Sequence, residues 1–249
     1  MKESLVTQVS KNIVFVLEFL GIALAVFLVA YIAEKWIKKK NHDTERILST
    51  RKIAMIGMFS AIAAVLHVLD FPIPFLAPGF YKLDFSELPA LIGTFAFGPV
   101  AGVMIEFVKI LLKLLFKGTS TAFVGDLANF VIGCSFLLPA AFIYEWRKNK
   151  KDALIGCITG TAVMTVFGSI FNAVYLLPAF AALFGMSSSD IIAAGNAVNG
   201  GIKDITTFVM LAVAPLNLLK GSVISLLTML LYKKVSPLIK YGKSQKNKN

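Results

Sequence analysis

Long apolar blocks govern what this chain can become. The first, "IVFVLEFLGIALAVFLVAYIAEKW", is followed by several more, separated by short polar or Gly/Pro-containing breaks. A bilayer core about 30 Å thick is crossed by about 20 helical residues rising about 1.5 Å each. Blocks of this length take the membrane as their solvent. Unpaired backbone groups find no water there, so open sheets are excluded. The period-two alternation of barrel strands is absent, which leaves helices. Composition agrees: 57% of the 249 residues are hydrophobic and 16% are charged, against about 25% charged in a soluble domain. The expected fold class is an all-α integral membrane protein.

The breaks place the spans. A detached first helix runs from Asn12 to Trp36 and leads into the polar linker "KKKNHDTERILSTRK". Six further runs cover Ile53 to Leu69, Glu87 to Phe97, Val100 to Phe116, Phe123 to Tyr144, Ala153 to Leu177 and Ile205 to Tyr232. Pro178 is expected to stop the run before it, and the stretch holding "GMSSSD" and "GNAVNGG" is expected to be a loop. The chain thus divides into an additional N-terminal transmembrane helix (1–40), a cytoplasmic linker (41–50), a six-helix membrane domain (51–240) and a basic cytoplasmic tail (241–249). Lys and Arg cluster in "KWIKKK", at 51–52, in "RKNKK" and in the tail. The positive-inside rule places those ends in the cytoplasm of a bacterial cell, with the N-terminus outside. The first segment is expected to be an uncleaved anchor. Its apolar run exceeds that of a signal peptide, and its stronger basic flank follows the run.

Several function classes drop out. The net charge of +11 is a topology signal, because no soluble module remains to present it to nucleic acid. Cys134 and Cys157 lie inside apolar runs, and His42 and His67 are far apart, so neither a disulfide framework nor a metal site follows. No metalloprotease, P-loop, kinase or hydrolase signature is present. The chain has no visible means of using ATP, and no cofactor is expected.

Polar groups near the outer helix ends carry the remaining chemistry, since ionisable residues inside a membrane tend to face protein or a wet cavity. The connection "FPIPFLAPGFYKLDFSELPALIGTFAFGPVAG" combines Pro72, Pro74 and Pro78 with four aromatics, then Lys82, Asp84 and Glu87. It reads either as a helix-capping link with interfacial aromatics or as a stiff lid over an outward pocket. Glu106, Lys109, Lys113 and Lys117 fall on one helical stripe, where Glu106 and Lys109 can pair and the outer two lysines can snorkel. Asp126 and Asn129 stand at another helix start. Asn172 is an amide inside an apolar span, and Lys203 and Asp204 open the last helix. Asp204 suits a helix N-terminus; Lys203 does not and calls for another reason, such as an electron-rich ligand or a pair with Asp126.

The stretch from 71 to 102, together with "VGDLANFVIG", "NAVYLLPAF" and "APLNLLKG", resembles the riboflavin-specific S component of energy-coupling-factor (ECF) vitamin transporters. The likeness covers Arg51 to Lys240, with the additional N-terminal helix outside it. It implies a six-helix S-component bundle that captures riboflavin outside. A transmembrane T protein and two cytoplasmic ATPase subunits would drive its delivery inward, the S component toppling in the bilayer. It implies a first loop that closes over the vitamin, with Leu76, Phe80, Lys82 and Asp84 contributing. Asn172, Lys203 and Asp204 would complete the pocket, with Asn129 as a further contact. It also implies a small-residue face on the first core helix for the T protein, through Gly57 and Ala61 or through Ser60 and Ala64. An S component for another vitamin and a stand-alone secondary carrier are the alternatives. An intramembrane enzyme would need paired acids, a Ser/His set or a metal cluster at one depth, and the sequence offers none.

Overall fold

The computed structural model describes residues 5–244. The expected basic tail lies outside the described residues from 245 onward. A short helix α1 (Leu5–Lys11) leads into α2 (Ile13–Lys40). The core follows as α3 (Thr50–Val68), α4 (Glu87–Phe97), α5 (Pro99–Lys117), α6 (Val124–Arg147), α7 (Lys150–Phe171), α8 (Leu177–Phe184), α9 (Ser188–Val198), α10 (Ile205–Phe208) and α11 (Ala214–Ser244). Two short strands, β1 (Phe71–Pro72) and β2 (Lys82–Leu83), pair antiparallel between α3 and α4.

Among the described residues, five helical stretches are long and apolar enough to cross a bilayer: Ile13–Lys40, Thr50–Val68, Val124–Arg147, Lys150–Phe184 and Ile205–Leu231. The multi-pass membrane fold follows from these. At 11 residues, α4 reaches only about 16 Å and does not span by itself. The 19 residues of α5 are long enough, but they carry the Glu106, Lys109, Lys113 and Lys117 stripe. The two join at Gly98, whose φ of 100° is open to glycine at little cost.

Two sequence expectations fail between Asn172 and Val198. Pro178 does not end its helix. After α7 the chain makes a π-helical turn, Asn172–Leu176, and continues as α8. Pro215 likewise follows a π turn, Val209–Val213, that joins α10 to α11. A proline lacks one N–H and crowds the carbonyl four residues back; the wider turn relieves the mismatch without ending the helix. The expected loop after Gly185 contains α9. A capping box starts that helix, with the Ser187 hydroxyl accepting from Asp190 N–H and the Asp190 carboxylate accepting from Ser187 N–H.

Packing between spans relies on close backbone approach, because lipid supplies no hydrophobic drive between helices. At Gly156 of α7 an added Cβ would stand 2.7 Å from the Ala140 carbonyl of α6. The N-terminal helix is also docked on the core. Its buried residues, Phe19, Ala23, Ala30, Glu34 and Ile37, share one face of α2. Phe19, Ala23 and Ala30 meet Val103, Ile110, Leu127 and Phe130 of α5 and α6, while Leu17, Leu24 and Leu28 are left facing outward. Glu34 Oε2 accepts from Val100 N–H at 3.0 Å, which satisfies one of the free donors at the start of α5. At its other end, Tyr175 of the π turn donates to Glu18 at 2.6 Å.

Candidate functional site

The loop between α3 and α4 is folded into a clasp. Strands β1 and β2 close it, and Ile73, Ala77 and Leu83 bury themselves against Leu177 of α8, Ile191 of α9, Phe208 of α10 and Ile202 in the connection between α9 and α10. Proline fixes the backbone between the strands, so ordering the clasp costs less chain entropy. Tyr81 pins its far side by donating to Asn172 Oδ1 at 2.6 Å. Burial pushes the Tyr81 phenol above its ordinary pKa, so it stays a neutral donor. Asn172 in turn donates to the Gly168 carbonyl at 2.7 Å. The π turn is what places Asn172 opposite the loop.

Beneath the clasp lies a buried ionic network. Lys220 of α11 reaches Asp84 at 3.2 Å and Glu87 at 2.8 Å. Lys109 of α5 reaches Glu106 at 2.6 Å, Glu87 at 3.4 Å and Ser86 Oγ at 2.9 Å. His67 Nδ1 approaches Asp84 at 3.4 Å. Three carboxylates therefore share two lysines in a largely buried region, and each charge depends on the others. Burial opposes ionisation of Asp84, but Lys220 and then His67 outweigh it and hold the carboxyl well below its usual range.

Beside the network a cavity of about 710 Å³ opens between the clasp, the end of α5 and the start of α6. Its wall includes Phe80, Lys82, Asp84, Asn129, Phe180 and the turn from Gly118 to Thr121. That size lies in the range of small-molecule sites, about 300–1,000 Å³. Ion pairs rim it: Lys113 with Asp126 at 2.6 Å, Lys117 with Asp70 at 2.8 Å, and Lys82 with Asp70 at 3.3 Å. Phe80 meets Phe180 edge-on with ring centroids 6.3 Å apart, giving the cavity an apolar wall. The turn is shaped by its threonines. Thr119 Oγ1 accepts from Phe123 N–H and Thr121 Oγ1 from Gly125 N–H, and Ala122 and Phe123 take positive φ.

Of the residues expected at the site, Phe80, Lys82, Asp84 and Asn129 line this cavity. Leu76 packs on the apolar cluster under the clasp, and Asn172 holds Tyr81 rather than facing the cavity wall. Lys203 and Asp204 stand apart from it and are exposed. Asp204 caps α10 by accepting from Thr207 N–H at 2.7 Å. That bond, with help from the Thr207 hydroxyl, lowers its pKa. Asp126 is paired with Lys113, not with Lys203. The outer lysines of the α5 stripe, Lys113 and Lys117, do not snorkel freely but form the rim. Lys220 was not singled out from sequence, because its partners lie far away along the chain. On α3, Gly57 and Ala61 are exposed, while Ser60 and Ala64 are buried in the bundle. Only the first pair is available to a partner.

Known proteins resemble this chain along most of the core. The profile of the family "ECF transporter, substrate-specific component" matches residues 51–232. "Riboflavin transporter RibU" of Staphylococcus aureus (strain TCH60) is 40% identical over 190 residues, covering 76% of this chain and 93% of that protein. "Riboflavin transporter FmnP" of Bacillus subtilis (strain 168) is 34% identical over 199 residues, covering 79% of this chain and 98% of that protein. Among solved structures, a chain from "Structure and mechanism of the S component of a bacterial ECF transporter" superposes with a TM-score of 0.59. It shares 40% identity and covers 76% of this chain and 98% of its own length.

Proposed function

This chain belongs to the substrate-specific components of ECF transporters, and from that premise we propose that it captures riboflavin in the cavity between the clasp, α5 and α6. The observation that carries this reading is the 40% identity to a riboflavin transporter over 93% of that protein's length. The cavity supports it chemically. A flavin presents a flat ring with a uracil-like edge and a hydroxylated tail. Phe80 and Phe180 supply an apolar wall, and Asn129, Asp126 and the lysine rim supply hydrogen-bonding groups.

The cavity lies at the end of the bundle opposite the basic ends of α2, α6 and α7. With Lys38–Lys40 and Arg147–Lys151 inside, the positive-inside rule puts the cavity outside. Vitamin arriving from the medium enters under the clasp, and release inward requires a partner that supplies energy. A transmembrane T protein with two ATPase subunits fits that role. The exposed α3 face at Gly57 and Ala61 is the place where a helix of the T protein can approach closely.

Purified full-length protein in detergent, titrated against riboflavin, tests the reading. Stacking against the aromatic wall should quench flavin fluorescence to saturation at one flavin per chain. A colourless preparation that leaves added riboflavin unquenched overturns it.

A further inference from the structure

The N-terminal arm, α1 and α2, lies outside the residues matched by the family profile. Yet it reaches the cavity. Gln8 of α1 is one of the residues lining it. The carboxamide Oε1 of Gln8 is buried and has no hydrogen-bond partner. It lies over the turn at Gly118, where an added Cβ would stand 3.7 Å from it. Two more buried oxygens without hydrogen-bond partners line the same cavity, Asn129 Oδ1 and Asp126 Oδ2. A buried polar atom left unpaired is destabilising, because it has lost its water and gained nothing in return. Three such oxygens around one cavity point to groups that a bound molecule brings.

The arm is held firmly enough for this contact to matter. Phe19 stacks on Phe107, with centroids 5.9 Å apart. Tyr175 donates to Glu18, and Glu34 caps α5 at the far end. Asn12 Nδ2 donates to the Gln8 carbonyl at 2.9 Å, which fixes the junction between α1 and α2. The position of Gln8 over the cavity is therefore built, not incidental.

We propose that Gln8 is a specificity-determining residue of the binding site, contributed by the N-terminal arm, and that it bonds the hydroxylated tail of the ligand. This rests on the riboflavin reading above. The flavin ring edge offers one N–H donor, which cannot satisfy three separated oxygens. The tail carries several hydroxyls, and a hydroxyl both donates and accepts, so it suits a carboxamide in either orientation and a carboxylate as well.

The test compares riboflavin with lumiflavin, which keeps the ring but has a methyl group in place of the tail. Both are titrated by fluorescence quenching against full-length wild type and Gln8→Leu. Loss of one such bond should raise the riboflavin Kd about fivefold, about 1 kcal/mol, and leave the lumiflavin Kd unchanged. Unchanged affinity for both flavins overturns the proposal. An equal loss for both also overturns it, because Gln8 would then act through arm docking and not on the tail. Wild type that binds neither flavin sinks the riboflavin reading itself, a result distinct from failure of Gln8 alone. Gln8→Asn, shorter but still an amide, should recover part of the riboflavin affinity if the contact is a hydrogen bond.

Discussion

Lys109 and Lys117 stand on one stripe of α5, eight residues apart, and have different fates. The Lys109 side chain is 0% exposed and locked between Glu106, Glu87 and Ser86. The Lys117 side chain is 34% exposed and holds Asp70 at the cavity rim. Lys113, at 13%, lies between them and pairs with Asp126. The same residue type thus forms part of the frame at one depth and part of a cavity rim at another. Buried, a charge cannot lose its partner without a large cost. At the outer rim, where Lys117 and Lys82 meet Asp70, water can replace the partner, so those pairs can rearrange around a ligand.

Breaking the buried region should have the largest effect. Lys109→Met leaves Glu106 without its 2.6 Å partner. We expect a loss of about 3–5 kcal/mol in stability, read as a large drop in the thermal midpoint in detergent. A change below about 1 kcal/mol would erase the distinction between the two depths.

Acid should strike the same region next. The carboxyl of Asp84 is held below its ordinary range in the folded protein. Its stabilising contribution is therefore complete above the unfolded pKa, about 4. It is lost as pH falls from there through the lower folded value. A thermal midpoint measured against pH should decline in that acid range, and Asp84→Asn should flatten the decline. A variant with the wild-type acid profile would remove Asp84 from the network's energetics.

The rim variants should act on binding more than on stability. Lys113→Ala, which frees Asp126 and opens one wall, should weaken riboflavin about tenfold, about 1.4 kcal/mol, in a quenching titration. Its thermal midpoint should fall by less than that of Lys109→Met. Lys82→Ala should do least. Its 3.3 Å pair with Asp70 is half-open to water, and such pairs contribute about 1 kcal/mol or less. Any effect should shrink further in high salt. A Lys82 variant more damaging than the Lys109 variant would invert the comparison.

Much of the helical frame was legible because it is written locally. Apolar block lengths and the Gly98-Pro99 break fix α2 through α6 to within a few residues. The stiff connection after α3 could also be read as more than a link, from its prolines and the polar residues behind them. What stayed hidden depends on distance or on compensation. Lys220 looks like an ordinary lysine in "APLNLLKG" until the fold sets it beside Asp84, 136 residues away in sequence. Pro178 signals a helix end by its missing donor, but the π turn before it absorbs the fault. Ser187 and Asp190, three apart, form a capping signal that sequence reading could have used to find α9. Gln8 gave no local signal, since its value comes from where α1 is docked.

The most direct measurement is a structure of the full-length protein determined with riboflavin. We expect the ring between the clasp and the start of α6, against Phe80 and Phe180, with the tail directed at Asn129, Asp126 and Gln8. Density for the flavin at Lys203 and Asp204 instead, or a cavity that stays free of flavin at saturating concentration, would contradict the assignment of this site.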